Sequence, residues 1–100
     1  MNIQAIQTYL REHELDGWLM ADFHSRNTVA VDMLGLPSHL TRRFFYYIPA
    51  NGEPLGLVHN IEKAKFSHVP GRLTPFSSYK MLEEGIAKML SGAKRIAMEY

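Results

Sequence analysis

Leu15–Leu36, LDGWLMADFHSRNTVAVDMLGL, is the stretch that decides the fold. Its first part, Gly17–Ala21, is a nearly continuous apolar run, which is typical of a strand buried on both faces. The polar, cap-forming segment Asp22–Asn27 then interrupts the run. Apolar residues recur beyond it at helical spacing until Gly35, although the β-branched residues there also suit a strand. The apolar positions of this helix are Val29, Ala30, Met33 and Leu34.

The strongest strand signal lies in Arg42–Ile48, RRFFYYI. Alternation places Phe44, Tyr46 and Ile48 on one face, and Phe45 and Tyr47 on the other. Large apolar side chains on both faces predict a central strand that is covered on both sides. The Asn51-Gly52 pair then favours a tight turn into an antiparallel neighbour, Leu55–Val58. We expect Trp18, Leu19, Phe44, Phe45 and Tyr46 to be largely enclosed.

The remaining segments complete an α/β pattern. We predict a helix capped by Asn2, a short helix from Ile61 to His68, an edge strand at Arg72–Phe76 with Pro75 in it, a long helix capped by Ser77 or Ser78, and a strand at Arg95–Tyr100. The fold class is therefore a mixed β-sheet flanked by helices on both faces. The last strand stops in mid-pattern, so we expect residues 1–100 to be a domain excised from a longer polypeptide.

Composition excludes several classes of protein. The chain of 100 residues has 11 Lys and Arg against 10 Asp and Glu, a net charge of +1 without a basic run. This balance argues against nucleic acid or an anionic membrane as a partner. There is no cysteine, signal peptide or apolar span, which favours a cytoplasmic protein.

The polar loop at the end of the first strand contains Asp22, His24 and Ser25. A catalytic triad needs groups that converge from separated positions, whereas neighbours at a strand end diverge, so helix capping explains these residues better. The five histidines are scattered, and none forms a pair at zinc-ligand spacing on a helix. We therefore predict neither catalytic nor metal-binding residues in this chain.

Several segments together resemble the N-terminal domain of the creatinase/prolidase family, which includes Xaa-Pro aminopeptidases. The resemblance covers nearly the whole chain. It rests on Leu15–Leu19, Asp22–Asn27, Leu34–Leu36, Leu40–Pro49, Gly52–Pro54, Leu57–His59 and Met98–Tyr100.

The resemblance implies a ribonuclease H-like layout and a role beside the active site. In that family a downstream pita-bread domain binds two divalent metal ions, such as manganese, cobalt or zinc, through two Asp, one His and two Glu. The implied partners are that catalytic domain after Tyr100, a second subunit in a homodimer, and a proline-containing peptide. The chain itself then aids dimerisation and shapes substrate access.

Five residues on two loops are candidates for the rim of the substrate cleft. Arginine is suited to holding a peptide carboxylate, and histidine can donate a hydrogen bond to it. The alternative is an ordinary one, in which the arginines reach water or pair with surface carboxylates. These candidates are Arg26, His24, Asn27, His39 and Arg42.

Two other functions remain open on the sequence alone. The first is a peptide-binding module of a pita-bread relative that has lost its activity. The second is a free-standing small α/β scaffold.

Overall fold

A computed structural model describes residues 2–22, 27–36 and 42–99, and within these ranges the chain builds one five-stranded sheet and four helical segments. The strands are β1 (Gly17–Asp22), β2 (Phe44–Pro49), β3 (Leu55–His59), β4 (Arg72–Phe76) and β5 (Ile96–Glu99). The helices are α1 (Ile3–Glu12), α2 (Thr28–Met33), a 3₁₀ helix (Asn60–Phe66) and α3 (Tyr79–Met89).

The sheet is mixed, as the sequence predicted, with the strand order β4-β3-β2-β1-β5. Strand β2 is antiparallel to both of its neighbours, whereas β1 pairs with β5 and β3 with β4 in parallel. The central position of β2 follows from its sequence, because its residues supply apolar side chains to both faces. Strand β4, which contains Pro75, lies at an edge as expected.

Helices cover both faces and enclose two cores. The α1-side core packs α1, α2 and the 3₁₀ helix against Phe44, Tyr46 and Ile48. The α3-side core packs α3 against Tyr47 and the half-buried Phe45. The predicted enclosure is confirmed, since Leu19, Phe44 and Tyr46 are buried and Trp18 and Phe45 are half-buried.

Two helices begin at the residues that the sequence indicated. The Asn2 side chain accepts a hydrogen bond from the Ala5 N–H at 3.0 Å, and the Ser78 hydroxyl accepts one from the Met81 N–H at 3.2 Å. Both are ordinary N-caps, in which a side-chain oxygen satisfies an amide of the first helical turn.

Helix α2 corrects the predicted pattern of its buried face. Val29 is 44% exposed, and the buried residues around it are Ala30, Val31 and Leu34. The helix is short and begins at Thr28, so its buried face is set by how Asn27 directs the chain onto β1, rather than by long-range periodicity.

The segment after β3 is also different from the prediction. It is a 3₁₀ helix that ends at Phe66 instead of a helix from Ile61 to His68. Its cap is His59, whose Nδ1 atom accepts the Ile61 N–H at 3.1 Å. A cap supplied by the last residue of β3 starts the helix without an intervening loop.

Candidate functional site

The candidate site lies at the end of the sheet where β1 finishes and β2 starts. Asp22, the last residue of β1, pairs with Phe44, the first residue of β2, and Phe44 pairs with Val58 near the end of β3. The antiparallel register therefore brings the chain after Asp22, the chain before Phe44 and the start of the 3₁₀ helix to one end of the sheet.

Asp22 and Asn27 close the turn between β1 and α2. Both residues are 6% exposed. The Asp22 carboxylate accepts the Asn27 N–H at 2.6 Å, and the Asn27 amide group donates to the Ala21 carbonyl at 2.9 Å. The Asn27 Oδ1 atom accepts the Ala30 N–H at 3.1 Å and so caps α2. Both side chains are thus directed at backbone groups, and they fix the two ends of this loop.

Glu62 performs a similar function for the chain that enters β2. Its side chain lies in the 3₁₀ helix, and the residue is only 5% exposed. Its Oε1 atom accepts the Arg42 N–H at 3.0 Å, while Lys65 Nζ lies 3.5 Å from Oε2. A buried carboxylate that accepts a backbone amide is strongly held, because a charged acceptor makes the stronger kind of hydrogen bond.

Glu62 is not among the residues predicted from the sequence, although one signal for it exists. Glu62 and Phe66 are four residues apart and both are buried, whereas the neighbouring Ile61 is 70% exposed. A carboxylate that replaces an apolar residue on the inner face of a helix indicates a buried polar contact.

The structure describes two of the five candidates for the cleft rim. Asn27 is buried and caps α2, and Arg42 is exposed beside Glu62, so both lie at the same end of the sheet. His24, Arg26 and His39 lie outside the described residues. The rim function of all five stays a prediction.

A second polar contact lies at the opposite end of the sheet, where β1 and β5 begin. The Asp16 Oδ2 atom accepts the Lys94 and Arg95 N–H groups at 2.6 and 2.9 Å. These backbone amides, that of Arg95 first, lower the pKa of the Asp16 carboxyl. Burial, together with the negative charge of Asp16, raises the pKa of the nearby Tyr47 hydroxyl.

At both ends of the sheet, the polar side chains described above hold backbone groups in place. Within residues 2–22, 27–36 and 42–99, no three His, Asp or Glu side chains come together in a group that could hold a metal ion. No helix in the described part of the chain is long and apolar enough to cross a bilayer.

Comparison with protein-family models and with curated proteins returns no match. Solved structures do match. The creatinase/prolidase N-terminal domain of an X-Pro dipeptidase from Streptococcus pyogenes has a TM-score of 0.76 and 18% identity, over 98% of this chain and 75% of that one. A proline dipeptidase from Streptococcus pneumoniae has a TM-score of 0.74 and 24% identity, over 98% and 73%. The prolidase from Pyrococcus horikoshii OT3 has a TM-score of 0.70 and 15% identity, over 97% of this chain but 25% of the prolidase.

These likenesses confirm the fold that the resemblance implied. The chain has the fold of the creatinase/prolidase N-terminal domain along nearly its whole length.

Proposed function

We propose that this chain is the non-catalytic N-terminal domain of a metal-dependent peptidase that acts at Xaa-Pro bonds, either a dipeptidase or an aminopeptidase, with its catalytic domain after Tyr100. The observation that carries the proposal is the match of 98% of the chain, at a TM-score of 0.76, to the N-terminal domain of an X-Pro dipeptidase. The chain has no cysteine, and we assign the protein to the cytoplasm on that basis.

In this proposal the two divalent metal ions, such as manganese, cobalt or zinc, belong to the catalytic domain. The chemical step is assigned in this proposal to residues of that catalytic domain. The contribution of this domain is to aid the homodimer and to narrow the entrance for a proline-containing peptide.

We assign the end of the sheet that carries Asp22 and Arg42 to the entrance of the substrate cleft. The buried carboxylates of Asp22 and Glu62 accept the backbone N–H groups of Asn27 and Arg42 at this end of the sheet. Substrate recognition requires groups that are held at a defined position, and these contacts hold the backbone at Asn27 and at Arg42. The Arg42 side chain, which is exposed, is available to a peptide carboxylate there.

The test uses the full-length protein with an Xaa-Pro dipeptide and a longer peptide whose second residue is proline. We expect hydrolysis after manganese, cobalt or zinc is added to metal-depleted protein, and none by residues 1–100 alone. Binding of the peptides without hydrolysis would instead identify an inactive, peptide-binding relative. Turnover by residues 1–100 alone would refute the proposal.

The role in assembly has a separate test, in which the full-length protein is compared with the same protein lacking residues 1–100. We expect sedimentation equilibrium to give a dimer for the first and a weaker dimer or a monomer for the second. Equal dissociation constants would remove dimerisation from the functions of this domain.

A further inference from the structure

A pocket of about 360 Å³ lies at the end of the sheet where β1 and β5 begin, opposite to the proposed entrance. Three separate segments line it: Asp16 before β1, the hairpin between β2 and β3 with Glu53, and the loop after α3 with Ser91. The volume is sufficient for a small organic molecule, since ligand pockets start at about 300 Å³.

The Tyr47 side chain extends into this pocket from the α3-side core. The residue is 4% exposed and is among those that line the pocket. A Cβ atom added at Gly17 would overlap the end of the phenol ring, so the hydroxyl lies over the start of β1, beside Asp16. In the part of the chain that the structure describes, no group forms a hydrogen bond with this hydroxyl. Because buried hydroxyls normally have a partner, an unpaired one in a pocket indicates a site for a ligand.

Asp16 and Glu53 give the pocket two carboxylates that can accept further hydrogen bonds. The Oδ2 atom of Asp16 holds the Lys94 and Arg95 N–H groups, whereas no described residue donates to Oδ1. Those amides affect Asp16 more than the charged side chains of the same two residues do. Glu53 pairs with Arg72 at 3.3 Å, but both side chains are more than half exposed, so the pair contributes little and can be exchanged. The pocket therefore suits a ligand that donates hydrogen bonds and carries a positive charge.

The electrostatic potential at Tyr47 has the sign that such a ligand needs. Burial raises the pKa of the Tyr47 hydroxyl, and the negative charge of Asp16 raises it further. A negative charge that opposes ionisation of the phenol also attracts a cation placed beside it. Leu55 and Met89, which line the same pocket, add apolar surface for an alkyl chain. An alkylammonium ion uses both features at once.

We propose that this pocket binds a primary ammonium group through three acceptors, the carboxylates of Asp16 and Glu53 and the hydroxyl of Tyr47, with the attached alkyl chain against Leu55 and Met89. An ammonium group has three N–H donors and no acceptor, so each donor finds one of these groups. A free alkylamine and a lysine side chain share this chemistry. The inference is independent of the proposed peptidase function, because the site lies at the other end of the sheet from the entrance.

The test titrates n-butylammonium chloride into the full-length protein labelled with ¹³C at its methionine methyl groups. The Met89 methyl signal, assigned with Met89→Leu, reports on this pocket alone, and the signal of Met81, which does not line it, is the reference. We expect Met89 to shift in a saturable way while Met81 stays in place. Tetramethylammonium has the same charge but no N–H donor, so it should bind at least ten times more weakly. Absence of a Met89 shift, or equal affinity for the two cations, would overturn the proposal.

Variants of the acceptors separate the pocket from other amine sites in the protein. Tyr47→Phe and Glu53→Gln should each weaken n-butylammonium about fivefold, the factor that corresponds to one hydrogen bond, and Glu84→Gln on the exposed side of α3 should have no effect. The melting temperature of Tyr47→Phe should stay within about one degree of the wild type, since its hydroxyl has no partner to lose. Wild-type affinity in Tyr47→Phe would overturn the proposal.

Ser91→Lys gives a readout that needs no change at Tyr47. Ser91 is exposed on the wall of the pocket, so the lysine would supply its own ammonium group and should abolish the Met89 shift, whereas Ser91→Gln should retain it. Equal shifts in both variants would overturn the proposal.

Two further ligands distinguish the sources of the ammonium group. Butane-1,4-diammonium that binds at least ten times more tightly than n-butylammonium would engage both carboxylates and assign the site to a free polyamine. A smaller gain, with Nα-acetyl-lysine methylamide binding as well as n-butylammonium, would assign it to a lysine side chain of a partner protein.

Discussion

At the scale of single residues, Asp16 joins two segments that are far apart in the sequence. Its carboxylate accepts the N–H groups of Lys94 and Arg95, and its own N–H donates to the Arg95 carbonyl at 2.6 Å. Its carbonyl accepts the Ala50 N–H at 2.8 Å. One exposed residue thus fixes the start of β5 and the end of β2 beside the start of β1.

Asp16→Asn should lower the melting temperature at neutral pH, because an amide offers the two N–H groups a weaker acceptor. The backbone amides hold the pKa of Asp16 below its ordinary value of 3.8, so the ionised group stabilises the fold above that pH. The contribution is lost as the pH falls through the lower, folded-state pKa. Melting curves from pH 7 to pH 2 should therefore show the two proteins converging below about pH 4. Glu84→Gln, which changes an exposed helical carboxylate, is the control. A difference in melting temperature between Asp16→Asn and the wild type that is the same at all pH values would exclude this function of Asp16.

Tyr46→Phe should reduce the free energy of unfolding by about 1 kcal/mol at pH 7, the ordinary contribution of one hydrogen bond. The Tyr46 hydroxyl donates to the Pro70 carbonyl at 2.6 Å, and the residue is almost fully buried. Burial raises the pKa of Tyr46 from 10.0 to about 12. The neutral phenol therefore stabilises the fold below pH 10, and this contribution is lost as the pH rises from 10 towards 12.

Urea denaturation at pH 7 and pH 11 measures both effects. Between pH 7 and pH 11 the wild-type protein should lose more stability than Tyr46→Phe. The difference in the free energy of unfolding between the two proteins therefore becomes smaller. Tyr9→Phe, at an exposed position, should match the wild type at both values. A Tyr46→Phe protein as stable as the wild type at pH 7 would show that the Pro70 contact contributes nothing.

Residue contacts were predictable from the sequence where the partners are local. Asn2 was identified as a cap, and Ser78 as one of two candidates beside Ser77, because each accepts an amide only three residues further along. Asp16 and Glu62 were not, because their backbone partners lie 78 or 79 and 20 residues away and come near only after the sheet has formed. The partner of such a carboxylate cannot be identified from the sequence until the strand order is known.

At the scale of elements, α3 is held close to the sheet by a glycine. A Cβ atom added at Gly85 would lie 2.5 Å from Leu57 Cδ2, and Leu57 is buried in the α3-side core. Gly85 therefore allows α3 to approach β3 more closely than a helix with a side chain there, at a cost in helix propensity.

Gly85→Ala should destabilise the protein by about 1–3 kcal/mol through overpacking, even though alanine favours a helix by about 1 kcal/mol. The measurement is a double-mutant cycle with Leu57→Ala, using urea denaturation. Because the shorter side chain at position 57 removes the clash, the double variant should be more stable than the sum of the single changes indicates. Additive effects would place the strain elsewhere, and a stabilised Gly85→Ala protein would show that α3 moves away without cost.

The elements with two apolar faces were the most predictable part of the fold. The alternating aromatic residues of β2 predicted its central position and a cover on each face, because Phe44 and Tyr47 lie on opposite faces and both are buried. Helix α2 was less predictable. Six residues are too few for periodicity to select a face, so the prediction for Val29 was wrong. The cap of α2, Asn27, does lie in the segment Asp22–Asn27 that was predicted to be cap-forming.

At the scale of the whole molecule, the fold and the proposed function rest on different kinds of observation. The mixed sheet with helices on both faces was predicted from the residues themselves, and the solved domains have the same fold. The chemical step does not follow, since the described side chains that are charged and buried hold backbone amides. The proposed function therefore depends on whether loop side chains of this domain reach the substrate in the proposed full-length peptidase.

In the proposed full-length peptidase, Arg26→Ala should raise KM for an Xaa-Pro dipeptide far more than for the same dipeptide with its carboxylate converted to an amide, because a guanidinium at the cleft rim would hold that carboxylate. The oligomeric state and the melting temperature should stay nearly unchanged. Asn27→Ala provides the contrast. Removing the cap of α2 should cost about 1 kcal/mol of stability and affect both substrates equally, since the Asn27 side chain contacts Ala21 and Ala30.

Arg42→Ala tests the other loop in the same way, because its backbone N–H keeps its contact with Glu62 when the side chain is removed. If Arg26→Ala changes both substrates alike, or loses activity in step with folding, then Arg26 supports the structure and the cleft rim is formed by other residues.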